Sequence, residues 1–249
     1  MEQRTDEWFA ARLGKVTASR VADVIATTKT GYSASRENYM AQLVVERMTN
    51  TQAESFTNAA MQWGNDQEPF ARAAYEIKQG VMVEETGLVD HPTIPMAGAS
   101  PDGLVGEDGL VEIKCPNTAT HIQTLLDQKV PERYNIQMQW QMACTTRQWC
   151  DFVSFDPRMA EGLQLFIKRV EFDPVLVASL EKEVIFFLEE LEEKIIQLNK
   201  LNLSASLLYD LRKAEKSGVV IEETSDPALA TEIYNIYIKN CDDYGIPPK

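Results

Sequence analysis

Two short stretches decide how this sequence is interpreted: Ser100-Pro101-Asp102-Gly103 and Val111-Glu112-Ile113-Lys114-Cys115-Pro116. The second stretch is largely apolar and ends sharply at a proline, which predicts a short strand. Side chains alternate between the two faces of a strand, so Glu112 and Lys114 project from the same face. They lie about 7 Å apart along the chain.

A hairpin is expected to bring the two stretches together. The tight-turn sequence Glu107-Asp108-Gly109 separates two β-type runs, residues 103–105 and residues 110–114. When that turn folds one run onto the other, Asp102 arrives beside the end of the strand that carries the glutamate and the lysine. The sequence therefore predicts two carboxylates and one ammonium group at one end of a hairpin.

This combination of groups suits a particular chemistry. Mg²⁺ prefers hard oxygen ligands and usually keeps several waters, so two carboxylates with water and phosphate oxygens suit it. A lysine beside them can orient or deprotonate an attacking water, as metal-assisted phosphodiester hydrolysis requires. Ordinary alternatives stay open, because Pro-Asp-Gly is a common turn and Glu-x-Lys on a strand is often a solvated ion pair.

Around the hairpin, hydrophobic periodicity predicts helices, then short strands, then helices and strands again. The predicted helices are residues 5–14, 17–25, 35–48, 58–77, 118–126, 132–145 and 173–199, and the predicted strands are residues 81–89, 96–100, 103–105, 110–114, 149–155 and 163–170. Gly64 interrupts the fourth helix and is expected to serve close packing or a kink. This order predicts a mixed α/β (α+β) fold, a central mixed β-sheet flanked by helices.

Residues 200–249 look like an addition to this core. Two further helices are predicted, at residues 204–216 and 228–240, around a break at Ser217-Gly218, and the end of the chain is expected to fray. The chain is therefore divided into a core of residues 1–199 and a helical C-terminal extension of residues 200–249, whose role the sequence does not indicate.

Composition sets the background for these patterns. The chain has 249 residues, 44% of them hydrophobic, which is enough to bury a substantial core. No apolar run approaches the roughly 18 residues of a membrane span, and we expect no membrane association. Lys and Arg total 24 against 38 Asp and Glu, so the net charge of −14 argues against a protein that coats nucleic acid. An enzyme with an anionic substrate is not excluded, and four cysteines without a CxxC pair favour a reducing cytoplasm.

An ordered series of motifs runs from about Thr5 to Asn199. Its members are Glu7-Trp8, Arg12-Leu13-Gly14, Thr17-Ala18-Ser19, Trp63-Gly64 with Glu68, Ser100-Pro101-Asp102-Gly103, Glu112-Ile113-Lys114-Cys115-Pro116, Tyr134 with Gln137 and Gln139, and Asp156-Pro157-Arg158-Met159. In this series the sequence resembles the phage lambda exonuclease, or YqaJ-type viral recombinase, family of the PD-(D/E)xK nuclease superfamily. The resemblance implies a restriction-endonuclease-like core.

The resemblance also implies roles for individual residues. Asp102, Glu112 and the backbone carbonyl of Ile113 would bind Mg²⁺, for which Mn²⁺ is a possible substitute, and Lys114 would position or activate water. Glu68 matches a family acid beside a second metal ion or its waters, so two ions are expected. Gln137 lies on a helix facing the cleft and counts among the catalytic residues, because its amide can hold the scissile or terminal phosphate.

Three more residues match family positions that hold the 5′-terminal phosphate, namely Arg12, Ser19 and Ser100, and Gln137 completes this DNA-binding set. A helix N-terminus is a natural phosphate site, which agrees with the placement of Ser19. Without the resemblance, a capping serine and a surface arginine are the plainer interpretations.

Taken together, the resemblance implies a Mg²⁺-dependent 5′-to-3′ exodeoxyribonuclease that acts on double-stranded DNA with 5′-phosphorylated ends. It would release 5′-mononucleotides and leave 3′ single-stranded overhangs for recombination by strand annealing. A homotrimeric ring and a single-strand annealing protein as partner are also implied. The alternatives are a structure-specific endonuclease or repair nuclease of the same superfamily, and a non-catalytic scaffold that binds DNA ends.

Overall fold

The computed structural model describes residues 2–52 and 59–216. Its helices are α1 (Asp6–Arg12), α2 (Ala18–Val24), α3 (Ala34–Thr49), α4 (Ala59–Gln79), α5 (Thr118–Asp127), α6 (Glu132–Thr145) and α7 (Pro174–Lys216). Its strands are β1 (Val16–Thr17), β2 (Thr27–Thr28), β3 (Gly31–Tyr32), β4 (Val83–Glu84), β5 (Val89–Asp90), β6 (Ala97–Ala99), β7 (Gly103–Val105), β8 (Gly109–Lys114), β9 (Trp149–Phe155) and β10 (Leu165–Glu171). The predicted helix 228–240, the Ser217-Gly218 break and the frayed end lie outside the described residues.

A five-stranded sheet in the order β10-β9-β8-β7-β4 forms the centre of the fold. The pair β8–β9 is parallel and the other neighbouring pairs are antiparallel. A parallel pair needs a crossover connection, and α5 and α6 supply it between β8 and β9. A smaller sheet in the order β1-β6-β5 lies before β7 in the chain and also mixes parallel and antiparallel pairs. These sheets confirm the predicted mixed α/β fold.

Helices cover both faces of β8, and its alternating side chains divide between them. Val111 and Ile113 pack in one apolar cluster with Ala71 and Tyr75 of α4. Leu110 lies on the opposite face of β8 and packs in another cluster, which includes Met138 and Met142 of α6. Glu112 and Lys114 lie on the same face of β8 as Leu110, so their side chains point towards α6.

A third apolar cluster joins the smaller sheet to the helices. It contains Val21 of α2, Leu43 of α3, Trp140 of α6 and Val184 of α7, all with 1% or less of their surface exposed. Since α6 contributes to this cluster and to the cluster over β8, it is held from both sides. The position of α6 relative to the central sheet is therefore strongly constrained.

Several local predictions need correction. The alternating run 81–89 forms two short strands in different sheets, β4 and β5, because the chain leaves the strand conformation around Thr86-Gly87. Residues 27–33, between the predicted helices 17–25 and 35–48, have no predicted element but contain the hairpin β2–β3. The turn after β7 consists of residues 106–108, since Gly109 already pairs with Val105. The helices predicted at 173–199 and 204–216 are one helix, because no glycine or proline interrupts residues 200–203.

The chain divides into two compact units, Met1–Ile196 and Gln197–Lys249. The functional division into a nuclease core of residues 1–199 and an extension stays a prediction, because compactness assigns no role. In the described part of the chain, no helix is both long and apolar enough to cross a membrane. Cys115, Cys144 and Cys150 are free and buried, and Cys241 lies outside the described residues.

Two glycines have opposite surroundings, which makes them a matched pair for a stability test. A Cβ on Gly103 would lie 2.1 Å from Cγ1 of Val83 and 3.3 Å from Cγ1 of Val111. A Cβ on Gly64 would meet no described atom within 4 Å, so the close-packing interpretation of Gly64 is wrong.

We expect Gly103→Ala to lower the free energy of unfolding by about 1–3 kcal/mol, because the added methyl group would overpack the strand that follows Asp102. Gly64→Ala, in an open helical position, should raise it by about 0.5–1 kcal/mol. Urea unfolding of both variants beside wild type measures these changes. Equal effects of the two substitutions would contradict the packing argument.

Candidate active site

The structure brings Asp102, Glu112 and Lys114 together as the sequence predicts. Glu112 is fully buried, and the ammonium group of Lys114 forms an ion pair with its carboxylate. The Lys114 Nζ atom also lies 5.2 Å from the centre of the Tyr134 ring. Asp102 stands immediately before β7, and its carboxylate accepts a hydrogen bond of 2.7 Å from the backbone N–H of Ile113.

Two glutamines of α6 hold the Glu112 carboxylate. The Nε2 atom of Gln137 donates to Oε1 of Glu112 at 2.6 Å, and Nε2 of Gln141 donates to Oε2 at 2.6 Å. Residues four apart lie on the same face of a helix, which is why both amides reach one carboxylate. Charged hydrogen bonds of this kind compensate a carboxylate that has been removed from water.

The charge on Asp102 is less well compensated. Burial and the nearby Glu112 raise the pKa of Asp102 to about 8, although Lys114 opposes this change. A carboxyl group whose pKa lies so far above its usual range keeps its proton, because burial and too little nearby positive charge disfavour the ionised form. The ionised form of Asp102 therefore lacks compensating positive charge, which a bound cation would supply.

The pKa of Lys114 moves upward rather than toward neutrality. Burial lowers it, but the carboxylates of Glu112 and Asp102 outweigh that effect and hold the pKa above its usual range. Burial therefore does not bring the pKa of this lysine near neutral pH. A permanently charged ammonium group can orient water or a phosphate oxygen, but it is a poor base.

The available donors fit a hard, oxygen-preferring cation. Asp102 and Glu112 offer carboxylates, and the carbonyl of Ile113 is the third predicted ligand. A soft metal is disfavoured because burial and neighbouring acids raise the pKa of the Cys115 thiol to about 12. Among the described residues, no group of three or more His, Cys, Asp and Glu side chains is arranged to hold a metal ion by itself. Binding would accordingly rely on waters and substrate oxygens as further ligands.

Glu68 lines a cleft of about 530 Å³ together with Asp102. Its carboxylate pairs with Arg4 and, at 3.1 Å, with Nη2 of Arg72. The structure thus places Glu68 beside Asp102, where the resemblance puts it, and shows two arginines as its partners. Its role as a ligand of a second metal ion stays a prediction.

Arg12 and Ser100 form a second cluster next to Asp102. Ser100 Oγ accepts hydrogen bonds from Trp8 Nε1 at 3.0 Å and from Arg12 Nη1 at 3.2 Å. The Arg12 guanidinium stacks over the Trp8 ring at 4.1 Å. Burial lowers the pKa of Arg12, and no carboxylate within the described residues forms a salt bridge with it. A half-buried guanidinium that forms no salt bridge with the described residues is a suitable phosphate ligand.

Ser19 lies in the first turn of α2, at the helix N-terminus where it is predicted, but it is not the capping residue. Thr17 occupies the N-cap position of α2, and Ser19 is the second helical residue, with an exposed side chain. Within the described part of the chain, no hydrogen bond joins Ser19 to Arg12 or Ser100. The structure therefore brings together two of the predicted phosphate-binding residues on the Arg12 side, and Gln137 lies apart from them on Glu112.

Sequence reasoning noted Gln141 beside Gln137 without assigning it a role, and it assigned none to Tyr134 or Gln3. Gln141 was detectable, because it follows Gln137 by one helical turn. Tyr134 lies in a quoted motif, but its contact with Lys114 depends on how α6 packs on β8. Gln3 contacts the carbonyl of Pro101, beside Asp102 and 98 residues away in the sequence, and no local sequence pattern predicts such a contact.

Comparison with known proteins places the chain among nucleases. The sequence profile of the YqaJ-like viral recombinase domain matches residues 7–148. The crystal structure of LHK-Exo, an alkaline exonuclease from Laribacter hongkongensis, shares 57% sequence identity with this chain. It covers 81% of this chain and 100% of its own, with a TM-score of 0.76. The same values hold for LHK-Exo in complex with dAMP.

A more distant structure supports the fold. A phage related exonuclease from Haemophilus somnus 129PT is 15% identical, covers 74% of this chain and 96% of its own, and gives a TM-score of 0.61. At that identity the likeness concerns the fold alone. Among curated proteins, none matches the sequence.

The two glutamines of α6 should contribute unequally to stability. Gln141 is fully buried and Gln137 is half-buried, so water can replace the lost donor only at Gln137. We expect Gln141→Leu to lower the free energy of unfolding by about 1–3 kcal/mol and Gln137→Leu by less than about 1 kcal/mol. Urea unfolding measures both, and a larger cost at Gln137 would contradict this account of the Glu112 carboxylate.

Proposed function

The chain belongs to the YqaJ-like viral recombinase family, and on that premise we propose that it is a Mg²⁺-dependent 5′-to-3′ exodeoxyribonuclease acting on double-stranded DNA ends. It would release 5′-mononucleotides and leave 3′ single-stranded overhangs for recombination by strand annealing. The coarser assignment, a hydrolytic nuclease, follows from 57% identity to an alkaline exonuclease over that protein's whole length.

One observation carries the proposal: Asp102, Glu112 and Lys114 converge, and Asp102 lines an adjoining cleft. Asp102, Glu112 and the Ile113 carbonyl would hold Mg²⁺, and Glu68 would hold a second ion or its waters. The bound cation would supply Lewis-acid stabilisation of the charge that develops on the phosphate oxygens.

The protein's own side chains would do the remaining work. Gln137 and Gln141 keep the Glu112 carboxylate in one orientation. Lys114 would position or activate the attacking water from its place beside Glu112. Water then attacks the phosphorus in line and its proton passes to solvent. The bond between the phosphorus and the 3′ oxygen breaks, and that oxygen takes up a proton from solvent.

Polarity would come from the cluster around Arg12. Its guanidinium and the Ser100 hydroxyl lie next to the Asp102 loop and can hold a terminal 5′ phosphate while the neighbouring phosphodiester occupies the cation site. Ser19 would complete this set from the start of α2, and Gln137 would contact the scissile phosphate. An end held in this way is cut one nucleotide at a time.

The family resemblance supports two further parts of the proposal. A homotrimeric ring enclosing the duplex would keep the enzyme on its substrate between cuts. A single-strand annealing protein would receive the 3′ overhang that remains.

Digestion of linear duplex DNA labelled at either end tests the reaction. We expect early release of the 5′ label as a mononucleotide in Mg²⁺ and none in EDTA. Lys114→Ala should reduce the rate by about 100-fold or more, because the group that orients water is lost. Lys168→Ala, which removes an exposed lysine of β10, is the matched control and should retain the wild-type rate.

The contrary outcomes distinguish the rivals. Cleavage of closed circular duplex DNA would indicate a structure-specific endonuclease. Retention of both labels, together with a gel shift of the DNA, would indicate an end-binding scaffold.

A separate comparison tests end recognition. Wild type should digest 5′-phosphorylated ends faster than 5′-hydroxyl ends. Arg12→Ala should reduce the ratio of these two rates towards one, because the guanidinium that distinguishes the ends is absent. Rates on both substrates measure the ratio, with Arg133→Ala on the exposed surface of α6 as the control. An unchanged ratio in Arg12→Ala would remove Arg12 from phosphate recognition.

A further inference from the structure

The segment before α1 contacts two distant loops through one side chain. The Nε2 atom of Gln3 donates to the backbone carbonyl oxygen of Thr86 at 2.9 Å and to that of Pro101 at 2.7 Å. An amide nitrogen has two protons, so both hydrogen bonds can form at once. Gln3 thereby joins loops that lie 83 and 98 residues away in the sequence.

Both carbonyls lie where the chain passes from one sheet to the other. Thr86 is between β4 of the central sheet and β5 of the smaller sheet, and Pro101 is between β6 of the smaller sheet and β7 of the central sheet. Backbone groups at such junctions do not take part in the hydrogen bonds between strands and need other hydrogen-bond partners. A single glutamine amide meets that need at both junctions.

The Pro101 carbonyl is directly bonded to the nitrogen of Asp102, which gives this contact its functional interest. On the other side, the Asp102 carboxylate accepts the Ile113 N–H at 2.7 Å. The residue is thus fixed through its side chain by β8 and through the preceding peptide by Gln3. Trp8 reinforces the same loop one residue earlier through Ser100 Oγ.

The backbone beside Gln3 is strained. Arg4 has a φ of +68°, in the left-handed region that residues with a Cβ rarely adopt. This conformation accompanies the two long-range contacts, Gln3 with the 101 carbonyl and Arg4 with Glu68. Strain that persists in a folded chain is held there by the surrounding contacts and is commonest at functional sites.

We propose that Gln3 is a positioning residue for Asp102, so that cation binding at the active site depends on the segment before α1. Without the amide, the 100–102 loop loses the hydrogen bond that holds the Pro101 carbonyl, and the Asp102 carboxylate samples orientations that do not match Glu112. The inference rests on the proposed function, because it assigns the ordered carboxylate to a cation.

Gln3→Met tests this, since methionine has a similar shape and no donor. The control is Gln123→Met, which removes an exposed α5 amide that donates to Asp127 one turn away. The first readout is the rise in melting temperature when Mg²⁺ alone is added, without DNA. The second is the Mg²⁺ concentration that gives half-maximal nuclease activity. Each readout gives a half-saturating Mg²⁺ concentration, one from the melting-temperature rise and one from nuclease activity. We expect Gln3→Met to raise both concentrations about tenfold and Gln123→Met to leave them unchanged.

The outcomes separate this inference from the function beneath it. A Gln3→Met protein that melts earlier but keeps the wild-type Mg²⁺ dependence overturns the inference and leaves the nuclease intact. Wild type that neither gains stability from Mg²⁺ nor cuts DNA overturns the proposed function and this inference with it. If Gln3→Met does not fold, Gln3→Asn, whose amide is one methylene too short to reach both carbonyls, is measured in the same way. An unchanged Mg²⁺ dependence in Gln3→Asn also overturns the inference.

Discussion

The burial of the Glu112 carboxylate is the constraint on which the rest of the site depends. A carboxylate with no exposed surface is stable in a protein only when donors compensate its charge. Gln137, Gln141 and Lys114 provide that compensation from two different elements, α6 and β8 itself. Any arrangement that moved α6 away from β8 would leave the charge buried and uncompensated, so the functional geometry and the stability of the fold are coupled here.

The topology explains why α6 is available for this purpose. β8 and β9 are parallel, so the chain must cross over between them, and the crossover consists of α5 and α6. Crossover helices pack on a face of the sheet, because their own apolar residues must be buried there. Alternation along β8 then directs Glu112 and Lys114 at that face while Val111 and Ile113 pack against α4.

Asp102 has a different type of support. It lies at a point where the chain passes between sheets, and its surroundings come from Ile113, from the loop at Ser100 and from the segment before α1. Burial and the nearby Glu112 raise its pKa, so its charged form lacks compensating positive charge. An ordered carboxylate with uncompensated charge is what a divalent cation requires of a ligand.

Much of this was determined by the sequence alone, because it depends on short-range geometry. The helices and the β7–β8 hairpin follow from periodicity and turn residues, and the shared face of Glu112 and Lys114 follows from strand alternation. Tertiary structure decided the rest. The run 81–89 divides between two sheets although its local pattern is continuous, and the pKa of Lys114 rises because two carboxylates outweigh burial. The contacts of Gln137 with Glu112 and of Gln3 with Pro101 span 25 and 98 residues, and such distances are closed only by the packing of whole elements.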